Sequence, residues 1–259
     1  MQYSDDDIRG LLTGIYEGSI DEYNLPEDLY FAISDYLKKG LYEGFGGTIE
    51  DFTGSKYELI TNLRENVYMF SGAKTFQQVK ELSNAIYDDE DKIKPFNKFF
   101  KDAKDIYENY NKNYARTEYD TAINSAQQAS YWNKIEEEAD VLPYLTFSAV
   151  LDDNTTDECE HMDGITAPVD DQIWDTCYPP NHWNCRSTVS QTDDKGKVSS
   201  KSDISHAKKE TESEMQDVFK MNSGKDGYIF SPDHPYFQVD KADKEFAKDN
   251  FGLPIPEND

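Results

Sequence analysis

Five side chains in one stretch carry the soft-metal and thiol chemistry of this sequence: Cys159, His161, Cys177, His182 and Cys185. They lie within Val150–Arg186, VLDDNTTDECEHMDGITAPVDDQIWDTCYPPNHWNCR, which holds all three cysteines and two of the four histidines of the 259-residue chain. The spacing is Cys-x-His, a gap of fifteen residues, then Cys-x4-His-x2-Cys. Zinc favours four thiolate or imidazole ligands in a tetrahedron, and one ion can order a loop by tying two separated turns together. Cys159, Cys177, His182 and Cys185 supply that count, with His161 as a substitute ligand, so one structural zinc is the cofactor expectation.

The segment lacks the close Cys-x2-Cys knuckles of stronger zinc signatures, and other readings stand beside the first. The cysteines also suit a core as small apolar residues, with the histidines merely hydrogen-bonded. A disulfide between Cys159 and Cys185 is a third reading, for an oxidising setting. The carboxylates of Asp152, Asp153, Asp157, Glu158, Glu160 and Asp163 would suit a hard divalent cation, with His161 or His182 as general base. Acidic residues are abundant throughout this chain, so their presence near a histidine says little. The sequence contains no phosphate-binding glycine loop, HExxH or GxSxG, and no catalytic residue is assigned.

The elements that must position these side chains begin far upstream. Ile8, Leu11, Leu12, Ile15 and Tyr16 recur at helical spacing behind Ser4 and an acidic run, which together satisfy exposed amides at a helix start. Leu29, Ile33, Tyr36 and Leu37 predict a second helix ending at Gly40, with residues 40–56 as a glycine-rich loop. Two further stripes, Leu59 to Phe70 and Phe76 to Tyr87, are separated by Ser71-Gly72, which reads as a helix end. From Lys92 to Ala139 the pattern is almost continuously helical, with Ala115, Ala122, Ala126 and Ala129 allowing close approach of another element. Leu145, Phe147 and Ala149 alternate as a strand entering the cysteine segment, and Ser187–Gln191 predicts a second strand leaving it. Residues 192–203 read as a linker, Ser205–Met221 as a helix, Tyr228–Phe230 as a short strand, and the tail as extended.

The fold expectation is therefore α+β and predominantly helical. An N-terminal helical region (1–91) precedes a small mixed domain (92–192) with a few short strands and the Cys/His-containing loop, and residues 193–259 form a linker, helix and extended tail.

Composition limits the partners. The 26 basic and 52 acidic residues give a formal charge of −26, which repels phosphate backbones and anionic membranes, so direct DNA binding is disfavoured. Only 37% of residues are hydrophobic, but 18 Tyr and 14 Phe add bulky surface for a folded core. No apolar run is long enough to span a bilayer and the start, MQYSDDDIRG, lacks signal-peptide character, so synthesis in a cytoplasm is expected.

Three pieces in order, NYARTEYDTAINSAQQASYW, LDDNTTDECEHMDG and YPPNHWNCRSTV, resemble the phage Mu F-like minor head proteins, also called phage head morphogenesis proteins. The resemblance covers about residues 95–192, with Ala115–Glu118, residues 153–164 and Pro179–Ser187 matching the family's helix, turn and Pro-Pro-x-His-x-x-Cys-Arg-Cys close. Two departures stand out: Ser187 replaces the last cysteine of that close, and Cys177 is an addition. If the family's cysteines and histidine gather around a metal, this chain has either exchanged one ligand for Cys177, keeping the count at four, or lost the site.

The resemblance implies a non-enzymatic minor structural protein of a tailed-phage head. Such a protein would be associated with portal or major capsid protein during assembly, and with genome packaging or ejection. It would be found in the virion head and, during assembly, in the host cytoplasm. The alternative is a metal-dependent hydrolase or nuclease-like effector carried in the virion, using His182 and nearby carboxylates.

Overall fold

Ser4 opens the first helix as the sequence predicts. In the computed structural model, which describes residues 4–257, its hydroxyl accepts the amide of Asp7 while the Asp7 carboxylate accepts the Ser4 amide, capping α1 (Asp5–Glu17). Helices α2 (Glu27–Phe45), α3 (Ser55–Asn84), α4 (Phe96–Glu108) and α5 (Ala115–Glu138) follow. The strands β1 (Tyr144–Ser148), β2 (Thr166–Pro168) and β3 (Thr188–Thr192) alternate with α6 (Asp157–Glu160) and α7 (Ile173–Thr176), and α8 (Lys201–Glu214) comes after them. The fold is α+β and predominantly helical, with one small antiparallel sheet and the Cys/His loop beside it. Among the described residues no helix is long and apolar enough to cross a membrane.

The chain forms two compact units, each built from separated stretches. Among the described residues, one comprises 4–38, 67–119 and 235–257, and the other 39–66 and 120–234. In the first, aromatic residues dominate the packing: Phe76 stacks on Phe251 at 4.6 Å and Tyr110 on Tyr236 at 5.9 Å. Its buried Lys74 donates to the Tyr110 carbonyl at 2.7 Å and pairs with the buried Glu118 carboxylate, which also accepts the Tyr236 hydroxyl. Burial pulls Lys74 below its ordinary pKa and pushes Glu118 above its own, each opposed by the other's charge.

The second unit holds the sheet, in the order β2-β1-β3. Tyr144 is opposite Pro168 on one side and Thr192 on the other. Leu145 and Phe147 on β1 are fully buried against Trp132, Met162, Trp174 and Tyr178, matching the predicted alternation. Burial of each such side chain stabilises the unit by about 1.5–3 kcal/mol. The Tyr178 hydroxyl donates to the Gln128 carbonyl at 3.0 Å, tying the cysteine segment to α5.

Several elements differ from the sequence expectation. The predicted loop at 40–56 is narrower, because α2 runs through Gly40 and Gly44 to Phe45. Gly44 is helical for a packing reason: a Cβ there would meet the Ile123 carbonyl oxygen of α5 at 2.1 Å. Ser71-Gly72 does not end a helix, since α3 continues from Ser55 to Asn84, with Ser71 Oγ donating back to the Val67 carbonyl. The run from Lys92 begins at Phe96 after Pro95 and contains a π-helical turn, Asn109–Tyr114. The late helix is Lys201–Glu214, capped by Ser200 within the supposed linker, and stops short of Met221. Tyr228–Phe230 forms no strand. Asn66 takes its place as partner, accepting the Ile229 and Phe230 amides on Oδ1 at 2.9 and 2.8 Å and donating to the Phe230 carbonyl at 3.0 Å.

Candidate metal centre

Two turns bring the site together, one between β1 and β2 and the other between α7 and β3. Gly164, at φ +74, lets the chain fold back so that its amide donates to the Phe147 carbonyl, while Asp163 Oδ1 accepts the Ala149 amide. This turn places α6, and with it Cys159, beside the end of β1; α6 is also held by Thr211 of α8, whose hydroxyl donates to the Glu158 carbonyl. The other turn follows the cis Pro179–Pro180 peptide. The Cys185 amide donates to the His182 carbonyl at 3.2 Å, Asn184 takes φ +60, and Asn124 of α5 donates to the Cys185 carbonyl at 3.3 Å.

Cys159, His182 and Cys185 converge, with their ligand atoms all within 4.8 Å of one another. Among the described residues this is the one such group of histidine, cysteine and carboxylate side chains. The two sulfurs are 3.8 Å apart and the cysteines are free. A disulfide would need about 2.05 Å, whereas two thiolates at about 2.3 Å from one tetrahedral zinc stand about 3.8 Å apart. His182 Nδ1 lies 2.8 Å from the Trp183 carbonyl oxygen, so Nδ1–H donates there and Nε2 is left with its lone pair for a metal. The group is chemically fit to bind a metal ion.

Electrostatics support the same reading. A hydrogen bond from the Cys159 thiol, opposed by burial, lowers Cys185 well below the ordinary thiol range, with His182 contributing a second hydrogen bond. Cys159 is pushed up by that same contact with Cys185 and then by burial, and His182 is raised chiefly by its hydrogen bond to Cys185.

Two of the predicted ligands are not brought into this group. Cys177, at the end of α7, is fully buried among Trp174, Tyr178 and Ala207, with its sulfur 3.7 Å from the Thr176 hydroxyl. Burial pushes its thiol up to about 11. His161 lies exposed just past α6. The acidic run does not gather either: Asp152 pairs with Arg186 through two 2.7 Å hydrogen bonds, and Asp163 serves the turn. Sequence reasoning did not anticipate Thr156. It stands at the N-cap of α6 without capping it, and its buried hydroxyl instead contacts the Cys159 sulfur. A threonine before DECE reads as an ordinary cap, so nothing in the sequence marks it.

Comparison with known proteins places this sequence in a family. The profile described as Phage Mu protein F like protein matches residues 61–190, half of the chain, and the chain belongs to that family. It is similar to the putative capsid assembly protein F of Escherichia phage Mu, 36% identical over 73 residues, which is 28% of this chain and 17% of that protein. It is also similar to the Mu-like prophage FluMu F protein of Haemophilus influenzae, 36% identical over 74 residues, 29% of this chain and 17% of that protein. The matched region thus spans about a sixth of the length of either relative. No solved structure matches the chain.

Proposed function

We propose that this protein is a minor structural component of a tailed-phage head, acting in head assembly through contacts with portal or major capsid protein. The observation that carries the reading is membership of the Mu F family, together with the likeness to a relative named as a capsid assembly protein. The formal charge of −26 favours protein contacts over direct DNA contact.

Within that role the centre at Cys159, His182 and Cys185 is a structural zinc site that joins α6 to the turn after Pro180. The sulfur separation of 3.8 Å and the orientation of His182 support it. The effector reading fits less well, because the cavity beside the site measures about 10 Å³, the size of one water molecule and too small for a substrate.

The test is to purify phage heads by density gradient and analyse their proteins by mass spectrometry, alongside a phage lacking this gene. The protein is expected in the wild-type heads, and its loss is expected to reduce DNA-filled heads. Its absence from heads, with normal assembly without it, would overturn the reading. Elemental analysis of protein purified without added metal is expected to give about one zinc per chain.

A further inference from the structure

A tetrahedral metal held by Cys159, His182 and Cys185 has one more position to fill, and Cys177 lies outside the group. Beside Cys159 and His182 is the cavity of about 10 Å³, lined also by Val150, Asn154, Thr155, Thr156, Arg186 and Ser187. That volume holds a single water. Two hydroxyls border it. Thr156 Oγ1 is buried and caps no backbone amide, although an N-cap threonine ordinarily does; it contacts the Cys159 sulfur instead. Ser187 is buried and touches Cys159 through its hydroxyl. A neutral hydroxyl is a poor zinc ligand but a good partner for a zinc-bound water, accepting a hydrogen bond from it or donating one to its oxygen.

We propose that the metal has three protein ligands and an exchangeable water as the fourth, seated between the Thr156 and Ser187 hydroxyls under a roof formed by residues 150–156. This rests on the zinc reading above and refines it. The roof is a closed loop: Thr155 Oγ1 donates to the Val150 carbonyl at 2.6 Å and accepts the Asp152 amide at 2.7 Å. An ionic latch to the ligand-bearing turn is the bidentate Arg186–Asp152 pair, which is half-exposed. Zinc sites that keep a solvent ligand exchange it, whereas four-residue sites are closed. Here the small cavity admits only water while the roof is down, so metal loss proceeds through roof opening.

The test uses the full chain loaded with Co(II), whose thiolate charge-transfer absorption reports the number of sulfur ligands. The wild type is expected to show two thiolates, and Cys177→Ser to leave the band unchanged. Ser187→Cys places a third sulfur at the water position and is expected to raise the band by about half, as three thiolates replace two. Asp152→Ala removes the latch and touches no ligand; it is expected to speed extraction of cobalt by EDTA about tenfold with the spectrum intact. A wild-type band that falls by about a third in Cys177→Ser would make Cys177 the fourth ligand and overturn the proposal. An unchanged band in folded, cobalt-loaded Ser187→Cys would overturn it as well. Absence of any charge-transfer band in the wild type would sink the zinc reading itself, an outcome distinct from the other two.

Discussion

Gly44 of α2 lies against the backbone of Ile123 in α5, so that any side chain at position 44 would meet a carbonyl carbon at 2.8 Å and its oxygen at 2.1 Å. Neither helix can yield by rotating a side chain, because the obstacle is main chain. Gly44→Ala is therefore expected to lower stability by about 3 kcal/mol, the upper end of overpacking costs, even though alanine is the better helix former. Urea denaturation of both proteins measures it; an unchanged or raised midpoint would refute the close approach.

Asn66 does the work of a strand for Ile229 and Phe230. Removing its amide leaves two buried backbone donors and one acceptor without partners. Asn66→Ala is expected to cost about 3 kcal/mol, and Asn66→Asp, which keeps the acceptor oxygen, to cost less. Hydrogen exchange at the Ile229 and Phe230 amides should accelerate in Asn66→Ala and remain slower in Asn66→Asp.

The buried pair in the first unit predicts a non-additive cycle. Lys74→Met strands the Glu118 carboxylate in the core and is expected to destabilise by about 3–5 kcal/mol. Adding Glu118→Gln removes the stranded charge and keeps an acceptor for the Tyr236 hydroxyl, so the double variant should regain a large part of the loss. Thermal unfolding of the two single variants and the double variant decides it; a double variant no better than Lys74→Met alone would contradict the buried-pair account.

Asp152 carries a pH signature. The Arg186 guanidinium, followed by the Asn154 amide, lowers its carboxyl from the ordinary 3.8 to about 2. Because the folded value is the lower one, its contribution to stability is present above about pH 4 and is lost as pH falls toward about 2. A carboxyl-carbon NMR titration should show the midpoint near 2, moving up toward 3.8 in Arg186→Ala. A midpoint near 3.8 in the wild type would mean the latch does not form in solution.

Legibility in the sequence followed the range of the forces involved. The α1 start was readable because Ser4 and Asp7 satisfy each other three residues apart, and β1 because alternation at Leu145 and Phe147 needs no distant partner to be seen. Ser71-Gly72 and Gly44 misled for the opposite reason. A glycine costs a helix only about 1 kcal/mol, which packing overrides, and the groups they pack against, Asn250 and Ile123, are remote in sequence.

The three residues of β2 are too few to show a period, and Pro168 argues against a strand unless it sits at an end. At the candidate site the residue types were legible but the selection among them was not. Spacing favoured Cys177, while the fold commits it to the core beside Trp174 and leaves the remaining corner to two hydroxyls.

The π-helical turn at Asn109–Tyr114 supplies Lys74 with the Tyr110 carbonyl, while Glu118 provides a counter-charge and the Tyr236 ring lies 5.9 Å from the ammonium. The widened turn thus acts as dry solvent: a flaw in helical winding stands in for the hydration shell that a lysine gives up on entering the core. Deleting one residue from that turn would perfect the helix but turn the following residues by about 100°. The helix would gain regularity and the ammonium would lose its shell.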